Sequence, residues 1–144
     1  MGLFSRVRDL LGTRSEPPLT ADDPDLAVVA ASFDPAEADS AALARAREWC
    51  EERPAVLRHH LTLPPDRFGE AATILAQDGW ELREIPWPDP DSAEPGQVRV
   101  HALRVQVLDA LHCAQERSRM AGLAQRLGGD SLGWDALQPV PPQA

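Results

Sequence analysis

The chain contains no lysine, no tyrosine, only two cysteines and no long apolar run. Each shortage excludes something. Without lysine, the 14 basic side chains are all arginines, and they stand against 23 aspartates and glutamates for a formal net charge of -9. A phosphate backbone would be repelled by that balance unless the arginines were gathered on one face, and along the sequence they are scattered. The heavy use of Arg, Ala, Pro and Asp matches a high-GC bacterial coding sequence and carries no chemistry of its own. Cys50 and Cys113 lie far apart with no C-x-x-C or companion ligand spacing, so neither a zinc site nor a disulfide framework is indicated, and two reduced, buried thiols are expected. No stretch approaches the roughly 18 to 20 apolar residues of a membrane helix. The N-terminus also lacks the apolar run and small-residue cleavage site of a secretory signal, which makes the cytoplasm the expected compartment.

What is present reads as one domain with trimmings. Residues 1–25 form an N-terminal amphipathic segment and linker, 26–137 a single α+β domain, and 138–144 a Pro-rich tail. Leu3, Phe4, Val7, Leu10 and Leu11 share a helical stripe ended by Gly12. That segment is short and weakly basic for a membrane surface, so docking on the domain or fraying is the expectation. Asp34, Pro35 and Glu37 have the spacing of a capping box, which predicts a helix from Asp34 to about Arg53, before Pro54.

From Ala55 to Leu63 the apolar period changes to two, with Leu57, His59, Leu61 and Leu63 on one face and Val56, Arg58, His60 and Thr62 on the other. A half-buried strand follows from that alternation. A helix over Asp66 to Asp78 presents Phe68, Ala71, Ala72 and Leu75, and Gly79 caps it. Trp80 to Ile85 is a strand, Pro86 to Gly96 a loop, and Gln97 to Leu103 a third strand. Its apolar phase slips near Ala102, which predicts a bulge or an early end there. A long helix from about Val107 to Leu127 carries Leu108, Leu111, Ala114, Met120, Leu123 and Leu127 near one stripe, and Gly128 and Gly129 end it. Strand, helix, strand, strand, helix over residues 55–137 predicts a ferredoxin-like sandwich whose last strand is missing or replaced by the tail.

Catalytic and metal chemistry find little support. Neighbouring strands would bring His59 or His60 near His101, but adjacent strand residues point to opposite faces, so both cannot join one metal site. His112 and Cys113 diverge on a helix and form no nucleophile pair. Gly128, Gly129 and Gly133 neither follow a strand nor open a helix as a phosphate loop requires. No catalytic residue, metal or cofactor is therefore assigned. Candidates for protein binding are Trp87 in its proline-rich loop, followed by Asp89, Asp91 and Glu94, and the pair Trp134 and Asp135. Trp134 has a second reading, favoured over the first, in which it closes the core beneath the last helix.

Two stretches carry a resemblance. The His-bearing strand His59-His60-Leu61-Thr62-Leu63 leads through a Pro/Asp turn into a helix ending in Gly79-Trp80. The last helix is followed by Gly128-Gly129-Asp130-Ser131-Leu132-Gly133-Trp134-Asp135. Together, over about residues 55–137, they resemble the bacterial family called regulator of ribonuclease activity B, or ribonuclease E inhibitor. Ser131 and Leu132 stand where that family usually has tyrosine and aspartate. The resemblance implies a ferredoxin-like domain that binds an endoribonuclease of the ribonuclease E type and lowers its activity; the acidic balance, separately, predicts no direct nucleic-acid contact. An acidic chain suits a basic partner. The alternative is a small-ligand-sensing ferredoxin-like homodimer joined through its open sheet face.

Overall fold

In the computed structural model, which describes residues 18–140, the elements run β1 (Leu26–Ser32), α1 (Asp39–Ala44), β2 (Pro54–Leu63), α2 (Phe68–Ala76), β3 (Glu81–Ile85), β4 (Val98–Val107), α3 (Ala110–Arg126) and β5 (Asp130–Pro139). Short 3-10 turns cover Pro65–Arg67 and Pro90–Ser92. The amphipathic segment expected before residue 13 lies outside the described residues. All five strands form one antiparallel sheet in the order β1-β5-β2-β4-β3. No helix of the described residues is long and apolar enough to cross a membrane.

The helices share one face of this sheet. Ala55, Leu57, Leu61 and Leu63 on β2, with Val100 and Ala102 on β4 and Trp134 and Ala136 on β5, join Leu43, Leu75, Met120 and Leu123 of the helices in one buried cluster. The period of two in β2 places these residues there, as expected. The opposite face is more buried than a half-exposed strand predicts: Val56, His60 and Thr62 are 1%, 7% and 2% exposed. Phe33 packs on His60 there. Asp22 binds Arg83 of β3 at 2.9 Å, while the Asp25 carbonyl accepts the Val140 N–H at the far side of the sheet. The expected linker is thus bonded to the sheet at Asp22 and at Asp25.

Several expectations are corrected. The capping-box helix shrinks to six residues, with Ala38 as its N-cap. Glu37 does not turn back to the backbone but binds the Arg45 guanidinium at 2.8 Å. Beyond Ala46, Gln138 of β5 takes the Cys50 N–H at 2.9 Å and donates to the Cys50 and Arg53 carbonyls, so tertiary bonds replace the helical ones. Gln138 and Pro139, read as tail, are strand residues.

β4 shows neither a bulge nor an early end, since its pairing with β2 is unbroken from Val107 to Val98. The register shifts fall instead in β1, between Val28 and Ala30, and in β5, opposite His60 and Leu61. Of the apolar residues on its second face, Leu103 is buried, whereas Val105 and Val107 are exposed. On α3, Cys113, Met120, Leu123 and Ala124 face inward, and Leu111 and Ala114, expected on the core stripe, are exposed. Cys50 is exposed as well, contrary to the expected burial.

Candidate functional site

The six residues singled out for binding separate into two groups. Trp87 is half-buried and faces the Arg99 guanidinium at 5.9 Å. Asp89, Asp91 and Glu94 are exposed beside it. The Asp89 carboxylate accepts the Asp91 N–H at 3.0 Å and the Ser92 hydroxyl at 2.9 Å, which fixes the turn and holds the acidic side outward. The structure does bring this loop together as an aromatic and acidic surface.

Trp134 and Asp135 are drawn inward. Trp134 is fully buried, and its indole N–H donates to the Asp39 carboxylate at 2.9 Å. This is the core-closing position, and it leaves no ring for a partner to grip. Asp135 points to the other sheet face and takes a two-pronged bond from Arg58, at 2.8 and 2.6 Å. Burial raises the Asp135 pKa, but the hydrogen bonds from Arg58 and His60 outweigh it and hold the carboxyl at about 2. Its charge is fully compensated.

Around Asp135 lies a cluster that sequence reasoning missed. His60 Nε2 is 3.1 Å from Asp135 Oδ1, and His60 Nδ1 meets an Arg99 nitrogen at 3.1 Å. A guanidinium can only donate, so Nδ1 accepts and the His60 proton resides on Nε2. His101 packs against His60 with ring centroids 4.3 Å apart, and Phe33 closes from another side at 5.0 Å. Burial, with positive charge nearby, pushes His101 down to about 4. Two imidazoles and a carboxylate have the donor chemistry of a cation site, but Arg58 occupies both carboxylate oxygens and Arg99 stands on the imidazole. No group of three or more potential metal ligands occurs among the described residues. His59, on the helix side against Trp80, is pushed by burial to about 3. The two adjacent histidines serve opposite faces, as the alternation requires.

The helix side carries the second candidate surface. Arg117 of α3 donates to the Asp39 carboxylate at 2.7 Å and to the Ser32 hydroxyl at 3.2 Å, tying α3, α1 and β1 together. Beside this knot a shallow groove runs between α1 and the start of α3. One part, of about 440 Å³, is lined by Glu37, Asp39, Ser40, Ala110, Leu111 and Ala114 among others. The next, of about 500 Å³, shares Ser40 and Ala110 with it and continues past Leu43, Trp49, Glu51, Glu52 and Asp109. Leu111 stands at its rim with 63% of its surface exposed. Leu111, expected on the core stripe with Met120 and Leu123, lies outside the buried stripe of Cys113, Met120 and Leu123. Compared with protein-family models, curated proteins and solved structures, the chain matches none.

Proposed function

We propose that the chain is a non-catalytic, protein-binding regulator that acts on an endoribonuclease of the ribonuclease E type, and through it on RNA turnover. One observation carries the reading. Among the described residues, Arg45, Arg58, Arg67, Arg83, Arg104, Arg117 and Arg119 are each held by a carboxylate, so most of the basic charge is spent inside the domain. The surplus carboxylates face solvent, with Glu48, Glu51 and Glu52 before β2 and Asp89, Asp91 and Glu94 in the Trp87 loop. Such a surface repels RNA and steers the chain towards a basic protein that binds RNA.

The finer fold assignment belongs to the same proposal. Strand, helix, strand, strand, helix, strand from β2 to β5, in the spatial order β5-β2-β4-β3, supports a ferredoxin-like sandwich with β1 added beside β5. β5 occupies the place of the last strand, expected from the sequence to be missing or replaced by the tail. The fold leaves function open, so the assignment rests on charge and on the resemblance of the stretches near His59 and Gly128.

The test is size-exclusion chromatography with light scattering of the purified chain mixed with the catalytic domain of a ribonuclease E type enzyme. A complex at low salt that weakens at physiological salt is expected. Two separate peaks at both salt levels overturn the reading.

A second reading, the ligand-sensing dimer, is favoured by Val28, Phe33, Val105 and Val107, all substantially exposed on or beside the sheet face away from the helices. It predicts a dimer mass in the same light-scattering run without any partner.

A further inference from the structure

We propose that the groove between α1 and the start of α3 seats an amphipathic helix of the partner, apolar on one face and rich in Lys or Arg beside it. The inference rests on the protein-binding reading above and names its contact surface. Charge is the first argument. Of the carboxylates lining the groove, Asp39 is taken by Arg117, Glu37 by Arg45 and Asp109 is bonded to His112, which leaves the exposed Glu51 and Glu52 as its uncompensated charge, with no free arginine on its walls. A cationic occupant is therefore favoured and an anionic one repelled.

The second argument is Leu111. It is 63% exposed on a helix whose inward stripe is complete without it, and it lies next to Ala110 and Ala114 on the groove wall. Small side chains on both walls, Ala44 and Ser40 opposite Ala110 and Ala114, permit a close approach of another backbone. Leu111 then supplies apolar area at the edge of the contact.

The third argument decides the shape of the occupant. An extended peptide needs a free strand edge to bond its backbone, and the free edges of this sheet belong to β1 and β3, while the groove walls are helices. A segment docked between helices must satisfy its own N–H and C=O groups, which a helix does. Apolar residues at i, i+3, i+4 and i+7 would meet Leu111 and the alanines, and flanking Lys or Arg would reach Glu51 and Glu52.

The test uses the full chain, labelled with nitrogen-15, titrated with a synthetic helical peptide of about 14 residues bearing Leu at helical spacing and Lys on its flanks. Shifts confined to the amides of Ser40, Ala110, Leu111 and Ala114 and to the Trp49 indole are expected. Affinity should fall roughly tenfold or more between about 50 and 500 mM salt. The same peptide with Gln for Lys should bind at least several-fold more weakly. Leu111→Arg, which changes an exposed side chain and leaves the fold intact by circular dichroism, should abolish the shifts.

Shifts centred on the sheet face or on the Trp87 loop, or equal binding of the Gln peptide, overturn the proposal. So does a change of the same groove amides on removal of residues 2–12, which would make the chain its own occupant, or on dilution without peptide, which would make it a second copy. Failure here is separable from failure of the protein-binding reading. If the nuclease binds the parent chain and Leu111→Arg equally, the groove is wrong and the reading stands; if it binds neither, the reading fails.

Discussion

The Trp134 indole N–H and the Arg117 guanidinium meet on one oxygen of Asp39, at 2.9 and 2.7 Å, so a single buried carboxylate ties β5 and α3 to α1. A carboxylate with two good donors is stable where it sits, but each donor is left unsatisfied if it goes. Asp39→Ala is expected to cost about 2–4 kcal/mol of unfolding free energy, whereas Trp134→Phe, which leaves Arg117 paired, costs about 1–2 kcal/mol. Denaturant midpoints of the two variants check the order. Equal costs would mean that the ring's packing, and not the shared oxygen, holds α1.

Acid should loosen the fold before it touches the carboxylates. His59 and His101 are held at about 3 and about 4, below the ordinary value of 6.5, chiefly by burial. Between about pH 6.5 and 4 the unfolded chain therefore binds protons that the native chain refuses, and stability falls as pH is lowered. Asp135, held at about 2, keeps its contribution across that window and loses it only below the ordinary carboxylate value of 3.8. Unfolding free energy should drop on the order of 2–4 kcal/mol from pH 6.5 to 4.5. In His101→Phe the fall should be shallower, by about one proton's worth of slope.

Arg58 is the chief partner of Asp135, and its replacement by Met leaves a carboxylate that is 5% exposed with only His60 beside it. A loss of about 3 kcal/mol is expected, with the Asp135 pKa moving up towards its ordinary value. Titration of the Asp135 carboxyl by carbon-13 resonance reads that shift directly.

Two glycines should behave oppositely when changed to alanine. A Cβ at Gly129 would sit 1.7 Å from the Thr62 carbonyl oxygen, so Gly129→Ala forces β5 away from β2 and costs more than about 3 kcal/mol. At Gly122, in the middle of α3, nothing lies within 4 Å of such a Cβ, and Gly122→Ala should stabilise by about 0.5–1 kcal/mol. Thermal melts of the pair check both signs.

The thiols differ in reactivity. Burial pushes Cys113 up to about 12, and Cys50 is exposed. A thiol reagent added to native protein should modify Cys50 quickly and Cys113 only on unfolding.

Local patterning made β2, α2, β3 and α3 legible because each carries its own period and its own stop, such as Pro64 after β2 or Gly128, at φ +89°, after α3. β1 and β5 were hidden by their register shifts near Val29 and Leu132, which break the alternation that marks a strand. The helix predicted from Asp34 was curtailed by Gln138, a residue 88 positions from Cys50 whose bonds no local reading contains. The site followed the same division. The meeting of His60 with His101 followed from the pairing of two recognisable strands, but the Arg58 to Asp135 ion pair required β5, and the acidic groove required knowing that Leu111 turns outward.

The proposed restraint of a ribonuclease by this acidic surface is tested most directly by the rate of RNA cleavage. With a purified ribonuclease E type enzyme and a short fluorescent RNA, rising concentrations of the chain should lower the rate saturably, more strongly at low salt, and Leu111→Arg should lower it less. An unchanged cleavage rate at every chain concentration and at both salt levels would contradict the account.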